Sequence, residues 1–152
     1  MNLTEEPEVV TWPKTHYVFV EKTGAFPKIA PEAWQTVHSF SSLLKEHNHV
    51  TGHLSLYKMN PNVYRAGFAL AAKPVTLPSE LQYEVFAGGT YSKFVLTGPY
   101  SELPQATRRV FEIVSKNDMM LRNDFCIENY VNDPGTTAED KLITEILIPT
   151  VS

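Results

Sequence analysis

The sequence predicts an α+β fold made of two copies of a strand, helix, strand, strand unit. Three observations carry this reading: short strand-like runs alternate with two helical stripes, matching residues recur at constant spacing, and the composition suits one core. Of 152 residues, 43% are hydrophobic, enough for a single core of ordinary size. One domain is expected over residues 1–152, with half-repeats at about 8–73 and 80–150.

The first strand is His16 to Glu21, rich in β-branched and aromatic residues and stopped by Thr23-Gly24. A helix follows from Pro31 to about Asn48, where Trp34, Val37, Phe40 and Leu44 recur at three- and four-residue intervals. Pro31 suits its first turn, where a missing N–H costs nothing. His53 to Tyr57 alternates and ends at Asn60-Pro61, and Tyr64 to Ala72 forms a second apolar run, so the two read as paired strands. Val75 to Glu80, with Pro74 beside it and Pro78 within it, reads as the connector between halves.

The order then repeats. Tyr83 to Phe86 and Tyr91 to Leu96 flank Gly88-Gly89 and read as a hairpin. Ser101 is placed to cap a helix whose stripe is Leu103, Ala106, Val110 and Val114. Phe125 to Tyr130 is a strand ending at the turn Asn132-Asp133-Pro134-Gly135, and Ile143 to Ile148 is the last strand. Tyr17, Thr23, Gly24 and Phe26 lie 74 positions before Tyr91, Thr97, Gly98 and Tyr100, while Tyr57 and Pro61 lie 73 before Tyr130 and Pro134. A duplicated half-domain with a pseudo-two-fold relation is the expectation.

Seventeen acidic against thirteen basic residues give a formal charge of −4 with no basic run. That balance lacks the footprint of a nucleic-acid binder, so no direct nucleic-acid binding is expected. The segment MNLTEEPEVV carries glutamates where a signal peptide carries lysine or arginine, and no long apolar stretch follows. With a single cysteine, Cys126, this points to a reducing cytoplasm and no membrane association. Nucleophile-elbow, phosphate-loop and triad motifs are missing. His47, His49 and His53 lie at a helix-to-strand boundary with no nearby second set of acids or thiols, so neither a metal site nor a cofactor is expected. Cys126 reads as a small buried residue, and Arg108 and Arg109 as a solvated helix surface.

Two segments carry a family resemblance: Gly89-Thr90-Tyr91-Ser92-Lys93-Phe94-Val95-Leu96-Thr97-Gly98-Pro99-Tyr100, and Cys126-Ile127-Glu128-Asn129-Tyr130-Val131-Asn132-Asp133-Pro134 with Leu142 to Pro149. Together they resemble GyrI-like small-molecule-binding domains, the gyrase-inhibitor-like family that also supplies effector-binding halves of AraC-type regulators. The resemblance implies helices on one side of a sheet and a ligand groove on the other. It also implies a central glutamate, here Glu128, that meets cationic lipophilic compounds in the multidrug-sensing members. Unlike the regulators, this chain shows no helix-turn-helix segment ahead of the domain, which argues against direct transcriptional activation.

Strand alternation puts successive side chains on opposite faces. On this basis Phe125 and Ile127 are expected against the helix, with Cys126, Glu128 and Tyr130 in the groove. Tyr17, Phe19, Ser55, Tyr57 and Tyr91 are expected on the groove side too, together with Lys93, whose ammonium could neutralise Glu128. The four tyrosines serve equally well as packed rings or as ligand contacts. Two functions remain open. One is capture of a lipophilic aromatic ligand by Glu128, Tyr130, Tyr91, Tyr57, Tyr17, Phe19 and Ser55. The other, since some members of the family resemble hydrolases of strained electrophiles, is catalysis with Glu128 as general acid or base beside Tyr130.

Overall fold

A computed structural model describes residues 1–151. In chain order its elements are β1 (Asn2–Leu3), β2 (Glu8–Trp12), β3 (Thr15–Thr23), α1 (Phe26–Ser39), α2 (Ser41–His47), β4 (Val50–Lys58), β5 (Val63–Leu70), β6 (Gln82–Phe86), β7 (Gly89–Thr97), α3 (Leu103–Lys116), β8 (Cys126–Tyr130) and β9 (Ile143–Pro149). Single 3-10 turns occupy Tyr100–Glu102 and Glu139–Lys141. The fold is α+β, and no helix among the described residues is long and apolar enough to cross a membrane.

The chain divides into two units, Pro13–Gly88 and Met1–Trp12 with the chain from Gly89 onward. In the first, β4, β5, β3 and β6 form an antiparallel sheet in that order. Helix α1 lies against β3 and β5 and buries Ile29, Ala33 and Val37. In the second unit β7 pairs with β9, which pairs with β8; the other edge of β7 takes β1 and β2. Helix α3 buries Leu103, Ala106, Val110, Ile113 and Val114 on one stripe. The strand, helix, strand, strand order is thus repeated, with β3 and β7 nine residues each and α1 and α3 fourteen each.

Several local expectations change. Helix α1 begins at Phe26, not Pro31, because the buried stripe starts at Ile29 and Pro27 fills the first turn. Pro31 lies inside the helix and forfeits one hydrogen bond. The stripe expected to run on to Leu44 breaks at Phe40, which leaves helical geometry before α2 starts. Ser101 makes no cap; it sits in the 3-10 turn ahead of α3.

The hairpin expected across Gly88-Gly89 does not form. Strand β6 pairs with β3 while β7 pairs with β2 and β9, and the two glycines, at φ 75 and 131, let the chain turn from β6 into β7 without the two pairing. The boundary between units therefore falls there, and Val75 to Glu80 is a loop within the first unit. Residues 8–12, counted with the first half on sequence, pair with β7.

Candidate functional site

The ladder registers decide which side chains share a face. In the second unit Glu128 lies opposite Ile146, and Tyr130 opposite Thr144, on β9. The same β9 residues pair with Phe94 and Leu96 of β7. Glu128, Tyr130, Thr144, Ile146, Phe94 and Leu96 therefore form one face, while Ile127, Asn129, Leu147, Glu145, Lys93 and Tyr91 form the other. The Tyr130 ring meets Tyr100 edge-on, centroids 5.5 Å apart at 67°. Tyr100 belongs to the turn that leads into α3, so Glu128 and Tyr130 face the entry to that helix. Ile127, expected against the helix, is on the opposite face, shared with Tyr91 and Lys93.

Glu128 and Tyr130 are half-buried. The Tyr130 hydroxyl donates to Glu128 Oε1 at 2.8 Å. Burial raises the Glu128 carboxyl above its ordinary value, and the Tyr130 hydrogen bond lowers it part of the way back. Tyr100 is also raised, first by burial and then by the Asp133 carboxylate. Lys93 does not compensate Glu128. Its ammonium lies on the other face, 3.4 Å from both Glu8 and Glu145, and although burial works against the charge, these carboxylates outweigh it and raise the pKa. Asn129 donates to Glu145 at 2.8 Å, which joins β8 to this charged row.

The first unit repeats the geometry with different chemistry. Phe26 and Tyr57 meet edge-on at 5.7 Å and 73°, and each precedes its counterpart, Tyr100 or Tyr130, by the repeat spacing. Ser55 holds the position that corresponds to Glu128. It is fully buried, 2.6 Å from the Tyr64 hydroxyl, and Trp34 Nε1 donates to both groups at 3.2 and 2.8 Å. Because Trp34 and Phe26 belong to α1, Ser55 and Tyr57 face the helix and do not point away from it as expected.

Tyr17 and Phe19 share the face opposite to Ser55, with Gly67 and Leu54. Both rings are fully buried and stacked 5.1 Å apart, and the Tyr17 hydroxyl donates to the Leu54 carbonyl at 2.8 Å and the Arg65 carbonyl at 3.2 Å. Tyr91 is also fully buried; its hydroxyl donates to the Phe125 carbonyl at 2.7 Å beneath the Arg122 guanidinium. Burial pushes both phenols up. These three rings support their sheets, and the set expected to share one face is divided between two.

Cys126 is buried. His53 lies edge-on to Phe68 at 4.6 Å, His47 ends α2 and His49 precedes β4; among the described residues no three His, Cys, Asp or Glu side chains cluster as metal ligands. Arg109 is ion-paired with Glu5 at 2.8 Å and Glu112 at 3.2 Å, where a merely solvated surface was expected. Sequence reasoning left Tyr100, Thr144 and Trp34 out of the site. The repeat itself held a signal for Tyr100, which follows Phe26 at the repeat spacing.

Two repeated units, one carrying a desolvated carboxylate against aromatic rings, describe an α+β small-molecule-binding domain. The chain belongs to the family of GyrI-like small molecule binding domains, whose model matches residues 5–151. No curated protein matches it significantly. Among solved structures, the EcmrR C-terminal domain is similar with a TM-score of 0.81 at 14% identity, over 100% of this chain and 99% of that one. The structure of SAV2435 bound to tetraphenylphosphonium is similar with a TM-score of 0.73 at 17% identity, over 97% and 94%. A hydrolase from Listeria innocua gives a TM-score of 0.65 at 13% identity, over 97% and 93%. At these identities the likenesses show the fold.

Proposed function

We propose that the chain captures a lipophilic, cationic aromatic small molecule, with Glu128 supplying the countercharge and Tyr130 and Tyr100 the ring surfaces. One observation carries this reading: a carboxylate raised by burial takes its hydrogen bond from a neutral phenol, and among the described residues no lysine or arginine pairs with it. A desolvated carboxylate is stabilised by an arriving cation, and aromatic faces add about 0.5–2 kcal/mol per contact. The tetraphenylphosphonium on SAV2435 is a ligand of the class named here.

Calorimetry with tetraphenylphosphonium and the neutral triphenylphosphine oxide tests the charge. Glu128→Gln should weaken the cation by on the order of 2–5 kcal/mol, the range for truncating one partner of a buried charge pair, and leave the neutral compound nearly unchanged. Equal losses for both would show that Glu128 acts through packing. The same raised carboxyl beside Tyr130 supports a second reading, general acid or base catalysis on strained electrophiles, consistent with the hydrolase among the fold neighbours. Multiple turnovers that vanish in Glu128→Gln would establish it; a panel of epoxides recovered unchanged would remove it.

A further inference from the structure

The two units treat one position of the repeat differently. Opposite Tyr57 stands Tyr64, whose hydroxyl is 2.6 Å from Ser55, the residue in the place of Glu128. Opposite Tyr130 stands Thr144, on the same face as Glu128. Thr144 is fully buried, and among the described residues no group hydrogen-bonds its Oγ1. Lying diagonally across the ladder from Glu128, with Cβ atoms roughly 7 Å apart, its short side chain cannot close the gap that Tyr64 closes on Ser55. A buried hydroxyl without a partner is costly, and this one shares a face, on the diagonal, with the carboxylate that already takes the Tyr130 hydroxyl.

We propose that Thr144 is a second ligand-contacting group of the Glu128 site, and that the domain selects primary and secondary ammonium ions. Such an ion has two or more N–H donors: one goes to Glu128, displacing the Tyr130 hydroxyl, and another to Thr144 Oγ1. A tertiary ammonium has a single N–H, which the carboxylate takes, and a quaternary ion has none. This rests on the reading of Glu128 as the ligand's countercharge. It goes further by naming the head group and the residue that reads it.

The test uses three compounds of one shape: N-methyl, N,N-dimethyl and N,N,N-trimethyl derivatives of 4-phenylbenzylamine, all cationic at neutral pH. The parent protein should bind the N-methyl compound about tenfold more tightly than the N,N-dimethyl one, the worth of one hydrogen bond to a charged group. Thr144→Val keeps the shape and removes the hydroxyl, so it should erase that ratio, while Thr144→Ser should retain it. Thermal unfolding shows that the variants are folded, with Thr144→Val expected to melt no lower than the parent. No preference in the parent, or a ratio unchanged by Thr144→Val, overturns the proposal. Glu128→Gln separates the two readings: if all three compounds lose affinity there while Thr144→Val changes nothing, only the Thr144 role fails. If Glu128→Gln leaves all three unaffected, the countercharge reading fails, and the ammonium preference falls with it.

Discussion

At Glu128 burial and hydrogen bonding act in opposite directions on one carboxyl, and burial wins. A folded-state pKa above the unfolded value means that the folded chain holds the extra proton through the intervening pH range. The contribution to stability is then fully present below the ordinary value of 4.5 and is lost as pH rises through the raised folded value. The carboxylate is therefore a cost to the fold at neutral pH. Glu128→Gln should melt above the parent at neutral pH, and the gap should close as pH falls below the ordinary carboxylate value. A calorimetric melting series from acid to neutral pH would show this, and a gap independent of pH would locate the effect in packing.

Within the elements, the clearest constraint is Gly67 in the middle of β5. A Cβ there would collide with the Val18 carbonyl and come within 2.7 Å of the Tyr17 ring, which lies across the glycine to reach Leu54 on β4. Neither neighbour can retreat, since one is backbone in a ladder and the other a fully buried ring with two hydrogen bonds. Gly67→Ala should cost roughly 1–3 kcal/mol or more, the range for overpacking a filled core, measured by denaturant unfolding. An unchanged midpoint would mean that β5 shifts freely against β3. On the other face of this sheet, Trp34 ties α1 to β4 and β5 through Ser55 and Tyr64, so the helix is seated by hydrogen bonds as well as by Ile29, Ala33 and Val37.

For the whole molecule, the first twelve residues matter beyond their length. They pair with β7, whose other edge holds β9, and Arg109 of α3 grips Glu5 through two nitrogens at 2.8 and 3.0 Å. Removing residues 1–12 would bare one edge of a nine-residue strand. Unpaired strand edges are templates for association. The truncated chain should melt lower and self-associate with rising concentration in light scattering; a monomer of unchanged stability would show that β1 and β2 are dispensable.

Much of this was legible along the chain. The strands that became β3, β4, β5, β7, β8 and β9 appear as apolar runs ended by turn residues, and the repeat spacing held down to the paired rings Phe26 with Tyr57 and Tyr100 with Tyr130. Glu128 was singled out by its motif. Strands β1 and β2 were not legible, because they are held by the edge of β7 and not by a pattern of their own. Nor could alternation say which face carries the helix. Tyr17, Val18, Phe19 and Val20 are all buried, so β3 offers no polar side from which to read a direction. Period two assigns residues to shared faces within one strand, but only cross-strand register and the seating of the helices join those faces to their neighbours. Local sequence thus marked most of the elements and the duplication, and the family motif singled out Glu128. The tertiary structure decided that Lys93 pairs with Glu8 and Glu145, that Ser55 faces α1, and that the Thr144 hydroxyl, on the face it shares with Glu128, has no hydrogen-bond partner among the described residues, because each depends on partners far away in the chain.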